Sequence, residues 1–183
     1  RASGKIGVLI VTPGPGLGNV VTGCMEAYSD DVPLLVIHID TGRREIGKGI
    51  LHELVDPENI FRHITKQTFT VHGGDDFVGK LEIAYRTAMA ERKGPVLISI
   101  PYTLLEKEVS SQSTGTIDSI PNDLLHDLSH LEGILANKKK PVIIGGKSLM
   151  LEQARPLLDE MCKCSSIPFL TTTSGKGILD EEN

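Results

Sequence analysis

Apolar residues fall in short unbroken runs, not in strict alternation. Residues 6–11 (Ile-Gly-Val-Leu-Ile-Val), 33–39 and 95–100 each read as a strand buried on both faces, the pattern of a parallel sheet. Between them the period changes. Residues 19–28 read as a helix with Asn19 as N-cap. Asp56-Pro57-Glu58 carries a helix-start signal: an acidic cap, proline at the first position and an acid in the first turn. Residues 68–72 read as a short strand. From 75 to 92, Phe77, Leu81, Ala84, Tyr85, Ala88 and Met89 recur at helical spacing, and Gly94-Pro95 stops the helix.

Strand and helix therefore alternate. The expected fold class is α/β, with parallel sheets flanked by helices. The pattern breaks at residues 102–119, a polar stretch with Ser110, Ser111, Ser113, Thr114 and Thr116, which reads as an interdomain linker. A second α/β unit follows: a helix over 121–137, a strand over 141–144 running into Gly145-Gly146, a helix over 149–164 that Pro156 must kink or interrupt, and a strand over 167–171. The expected domains are 1–108, a linker at 109–120, and 121–183. Two strands cannot bury both faces of a sheet, so the second unit reads as a truncated Rossmann-like domain.

Composition narrows the partners. The 183 residues are 39% hydrophobic and 23% charged, with a net charge of -5. This balance gives no reason to expect nucleic acid. No apolar run is long enough to span a membrane, and residues 1–5 lack the apolar core of a signal peptide. Cys24, Cys162 and Cys164 are an odd number without secretory context. They point to a reducing, cytoplasmic setting, with Cys24 in the core.

The turn Thr12-Pro13-Gly14-Pro15-Gly16-Leu17-Gly18-Asn19 carries the most chemistry. It lies at the carboxyl end of a parallel strand, where open α/β sheets bind ligands. Glycines there let a flat ligand approach the backbone. A plain strand-to-helix turn would have the same composition, and the residues alone leave both readings open.

The stretch from Gly7 through Thr12-Pro13-Gly14-Pro15-Gly16 and Asn19 to Gly23 resembles the pyrimidine-binding domain of thiamine diphosphate-dependent enzymes of the acetolactate synthase type. The resemblance continues at Ser29-Asp30-Asp31-Val32-Pro33, Ile64-Thr65-Lys66, Gly94-Pro95, Lys140-Pro141 and Ile167-Pro168. It implies a piece of a larger enzyme, covering most of the pyrimidine-binding domain and the first half of a central domain. That parent would make or break a C–C bond next to the carbonyl of a 2-oxo acid, as a homodimer or homotetramer. Thr12, Gly14, Pro15, Gly16 and Asn19 match positions that face the thiamine diphosphate ring. Gly145, Gly146, Thr172 and Thr173 match a region that touches FAD or ADP in some members. The family's catalytic glutamate lies upstream of the Gly-Val strand, where this chain has only six residues, so no catalytic residue is expected in the chain. Its magnesium motif, Gly-Asp-Gly, does not occur. The piece alone is expected to be inactive. The alternative is a non-catalytic FAD- or ADP-binding or regulatory module of the same fold.

The departures matter too. Pro13 stands where the family has serine. A family glutamine, in a Phe-Gln-Glu context, is matched by Leu51-His52-Glu53, which makes His52 and Glu53 candidates for substrate contact. Gly73-Gly74-Asp75-Asp76 reads as a turn and helix cap, not a metal motif. Gly145-Gly146-Lys147-Ser148 lacks the upstream glycine of a phosphate loop, because Pro141 stands there. His126 and His130, four apart, have no further ligands nearby, so no metal site is expected.

Overall fold

The computed structural model describes residue 3 and residues 5–42, 45–90, 92–108, 133–135, 137–149, 154–165 and 167–179. The chain divides into two compact units, Arg1–Ile120 and Pro121–Asn183. The expected linker, most of the expected helix at 121–137, His126 and His130 lie outside the described residues.

The first unit holds a four-stranded parallel sheet: β1 (Gly7–Val11), β2 (Leu34–Asp40), β3 (Gln67–Thr70) and β4 (Pro95–Pro101), in the order β1-β2-β4-β3. Registers are fixed by pairs such as Ile10 with Ile37, His38 with Ser99 and Thr70 with Ser99. Helices α1 (Pro15–Gly18), α2 (Val21–Ser29), α3 (Pro57–Phe61) and α4 (Gly74–Met89) complete the unit. The α/β class with parallel, helix-flanked sheets is as the apolar runs predicted.

Side-chain alternation on the central strands feeds two cores. Leu35, Val96, Ile98 and Ile100 pack with Ala84 and Ala88 of α4. Val36 and Leu97, one residue out of step, pack with Leu17, Val20, Cys24 and Phe61. Strand β4 has partners on both edges and six consecutive buried residues, which explains why its sequence shows no polar face.

Strand β1 differs from expectation. It was read as buried on both faces, yet Val8 is 58% and Ile10 67% exposed. The cause is its place at the sheet's edge, paired only with β2 among the described residues. The helix expected over 19–28 is also redrawn. Pro15 starts the short α1, and Asn19 is that helix's C-cap, not an N-cap. The fixed φ of proline suits a first helical position, so the helix begins before asparagine can cap it. Other expectations hold. Asp56 Oδ1 accepts a hydrogen bond from the Asn59 amide at 3.1 Å and caps α3. A contact that the sequence did not announce closes the C-terminal end of α4: Lys66 Nζ donates to the carbonyls of Thr87 and Ala90.

The second unit contains a parallel pair, β5 (Ile143–Gly145) and β6 (Phe169–Thr171), and helix α5 (Ala154–Cys164). Ile144 and Leu170 are 68% and 56% exposed, the open face expected of a two-stranded sheet. Pro156 is the third described residue of α5. Residues 150–153, where the expected helix would begin, lie outside the described residues.

Phe61 is fully buried between α3 and the sheet. Phe61→Ala should lower the unfolding free energy by about 3–5 kcal/mol, measured by urea denaturation; a loss below about 1 kcal/mol would mean that α3 is not docked as described.

Candidate functional site

All four strands of the first unit run in parallel, so the turn after β1 and the long connection after β2 leave from the same, carboxyl end. Their meeting point is Gly14. Its φ is +57°, a left-handed conformation that favours glycine, and a Cβ placed there would collide with the carbonyl of His52. At Gly16 a Cβ would collide with the Thr12 hydroxyl. The room left by both absent side chains is thus taken by the chain itself. Thr12, Pro15 and Asn19 remain exposed around this bend, while Gly14 and Gly16 are half-buried.

The segment that covers Gly14 is itself unusual. Leu51 and His52 have φ of +53° and +58°, left-handed values that cost a non-glycine residue about 1–2 kcal/mol each. The carboxylate of Glu53 accepts the Gly47 amide at 2.8 and 2.9 Å and the Gly49 amide at 3.2 Å. Of the two substrate-contact candidates, His52 is exposed beside the bend, while Glu53 is spent on its own turn.

A cavity of about 540 Å³ opens at the carboxyl ends of β2, β3 and β4, lined by Asp40, Glu53, Thr70, Lys80 and Ser99 among others. None of Thr12, Gly14, Pro15, Gly16 and Asn19 lines it. Lys80 pairs with Asp76 at 2.7 Å and donates to the Thr70 carbonyl; its hydrogen bond holds the Asp76 carboxyl below the usual range. Behind the cavity wall, His38 Nδ1 and Ser99 Oγ share a hydrogen bond of 3.1 Å. Burial lowers the His38 pKa, against a smaller opposing pull from Asp40. The sequence reading passed over this row. Its signal was present: His38 and Asp40 interrupt an apolar run, as Ser99 does in β4.

In the second unit, the Thr172 amide donates to the Gly145 carbonyl at 2.9 Å, so the β5 and β6 ends carrying Gly145, Gly146, Thr172 and Thr173 lie together. A Cβ at Gly145 would strike the Phe169 ring, and one at Gly175 would meet the Gly145 carbonyl at 2.6 Å. Packing within the unit thus accounts for Gly145. Among the described residues no group of three or more metal-binding side chains comes together. No described helix is long and apolar enough to cross a membrane.

This arrangement, a Gly-Pro turn at the carboxyl edge of a parallel sheet, coincides with a recognised domain. Residues 1–60 match the thiamine pyrophosphate enzyme N-terminal TPP-binding domain, a stretch that includes both the Gly14 bend and His52-Glu53. Whole-chain similarity is specific. The acetolactate synthase large subunit of Lactococcus lactis is 34% identical over 98% of this chain. A probable acetolactate synthase large subunit of Methanococcus aeolicus is 30% identical over all of it. The mitochondrial catalytic subunit of acetolactate synthase from Saccharomyces cerevisiae is also 30% identical over the whole chain. The chain belongs to the thiamine pyrophosphate enzymes, in their acetolactate synthase-like branch. It spans 32% of the length of the Lactococcus and Methanococcus relatives and 28% of the yeast one. These matches lend no support to a non-catalytic nucleotide module.

Two outcomes test the site's geometry. Gly14→Ala should lose about 1–2 kcal/mol from backbone strain alone, and should expose residues 47–53 to limited proteolysis, because the methyl must displace His52; unchanged stability and cleavage would refute the contact. His38 is harder to protonate folded than unfolded. The unfolded chain therefore binds more protons as pH falls through about 6.5, and stability drops in that window while remaining full above it. In urea unfolding between pH 5 and 8, His38→Gln should flatten that dependence; an equal slope in both proteins would contradict it.

Proposed function

We propose that the chain is the ring-facing part of a thiamine diphosphate-dependent enzyme that makes or breaks a C–C bond beside the carbonyl of a 2-oxo acid. The observation that carries this reading is the Thr12–Asn19 turn, exposed at the sheet's carboxyl edge inside the stretch that matches the TPP-binding domain. Exposed Thr12, Pro15 and Asn19, with half-buried Gly14 and Gly16, fit one wall of a ring-binding site. They do not enclose one, and the opposite wall is not among the described residues. Thiamine diphosphate, once bound, supplies the carbanion chemistry; the protein's share is position and electrostatics.

In this reading each local residue has a modest task. The left-handed Gly14 sets the angle of the turn. The Thr12 hydroxyl fills the space that a side chain at Gly16 would need. His52 presents an imidazole at the edge of the wall, where it can exchange a hydrogen bond with a 2-oxo acid. The general base chemistry at the ring and the Mg²⁺ that would anchor the diphosphate belong to the remainder of the parent protein, which its relatives' greater length supports. The exposed apolar faces of β1, β5 and β6 support it as well, since a longer chain would cover them. A homodimer or homotetramer in which a second subunit supplies the opposite wall is consistent with the one-walled geometry. FAD or ADP at Gly145, Gly146, Thr172 and Thr173 is a subsidiary part of the proposal, supported by the meeting of those strand ends. The free cysteines Cys24, Cys162 and Cys164 support a reducing compartment such as the cytoplasm.

Titration calorimetry on the full-length parent with thiamine diphosphate and Mg²⁺ tests the reading. Saturable heat and a raised unfolding temperature are expected, with at most weak binding by the 183-residue piece alone. No heat and no stabilisation in the full-length protein would defeat it; a response to FAD or ADP alone would favour the nucleotide-module alternative.

A further inference from the structure

We propose that Glu53 is a positioning residue: its carboxylate closes the Gly47–Glu53 turn on backbone amides and thereby fixes His52 against the Gly14 bend. The inference rests on the ring-site reading given above and assigns the two neighbouring side chains different tasks.

Three observations converge. Both Glu53 oxygens lie within 2.8–2.9 Å of the Gly47 amide, and Oε2 also takes the Gly49 amide at 3.2 Å. A carboxylate receiving several amide hydrogen bonds is held more firmly than one in a single neutral bond. Next, the residues just before Glu53 are left-handed, at φ +53° for Leu51 and +58° for His52. Non-glycine residues remain there only when surrounding contacts hold them. The Glu53 carboxylate provides that hold, because it ties the end of the turn to its beginning. Finally, the atoms held by this closure touch the bend. The His52 carbonyl and Cβ occupy the space where a Gly14 side chain would stand. Releasing the Glu53 carboxylate frees Leu51 and His52 to return to ordinary backbone angles, which carries the His52 backbone away from Gly14.

The consequence is a division of labour. The Glu53 carboxylate is engaged by the Gly47 and Gly49 amides, and its task is to hold the turn. The exposed imidazole of His52 is the group that meets the ligand at the edge of the wall. A mutation at Glu53 therefore acts through His52.

The test is a double-mutant cycle in the full-length parent, with amide hydrogen exchange as a second measurement. Glu53→Ala should remove protection at the Gly47 and Gly49 amides. It should raise the KM for a 2-oxo acid such as pyruvate about tenfold while changing kcat less than threefold. Glu53→Gln, whose amide oxygen still accepts a backbone hydrogen bond, should recover part of the loss. Glu53→Ala combined with His52→Ala should be no worse than His52→Ala alone. Independent, multiplying effects of the two substitutions, or a collapse in kcat for Glu53→Ala with His52→Ala nearly silent, would overturn the inference, because Glu53 would then act directly. Unchanged exchange at Gly47 and Gly49 in Glu53→Ala would overturn it on structural grounds alone. Failure of the unaltered parent to bind thiamine diphosphate would instead defeat the ring-site reading, and the assignment of His52 to the ligand with it.

Discussion

At Gly14 two connections from different strands come together at one point, and the candidate site depends on that contact. The turn after β1 can accept the His52 carbonyl only because Gly14 has no Cβ and takes a left-handed conformation. Any other residue would push the loop after β2 off the turn. The pressure comes from the fold itself. Parallel strands deliver both connections to one end of the sheet, and a short strand-to-helix turn leaves little room between them. Ligand sites in open α/β sheets occur at this end for the same topological reason.

The glycines thus have a different first cause from the one suggested by sequence. A flat ligand lying on a side-chain-free surface was the expectation; the structure shows the chain's own backbone and hydroxyl in that space. This moves the proposed ring contact from the glycine Cα atoms to the exposed rim of Thr12, Pro15 and Asn19. It also makes the His52 segment part of the wall, which a reading of the turn in isolation could not show. The cavity lined by Asp40, Thr70 and Ser99 also takes Glu53 and Leu54 into its lining, but none of the turn residues Thr12, Gly14, Pro15, Gly16 and Asn19.

Much of the architecture was legible in the residues. The run Val96-Leu97-Ile98-Ser99-Ile100 announces a strand covered on both faces, and it is one. Asp56-Pro57-Glu58 starts a helix with the expected cap. The misreadings share a physical cause. Burial of β1 was inferred from composition, but burial depends on neighbours, and a strand at the sheet's edge has fewer of them. Asn19 was assigned to a helix start that Pro15 had already claimed. At the site, sequence located the turn and the His52-Glu53 pair but not their contact, because thirty-eight positions separate Gly14 from His52 and only strand register brings them together. The task of Glu53 depends on the left-handed angles at Leu51 and His52, which no residue preference announces.

The central claim is that the bend at Gly14, with His52 packed on it, forms a wall of the thiamine diphosphate site. A crystal structure of the full-length protein with thiamine diphosphate and Mg²⁺ tests this most directly. The account predicts the aminopyrimidine ring within van der Waals reach of the Thr12–Gly16 turn, with the His52 carbonyl still seated at Gly14. A ring bound away from that turn, or a His52 segment packed elsewhere with the ring in its place on Gly14, would contradict it.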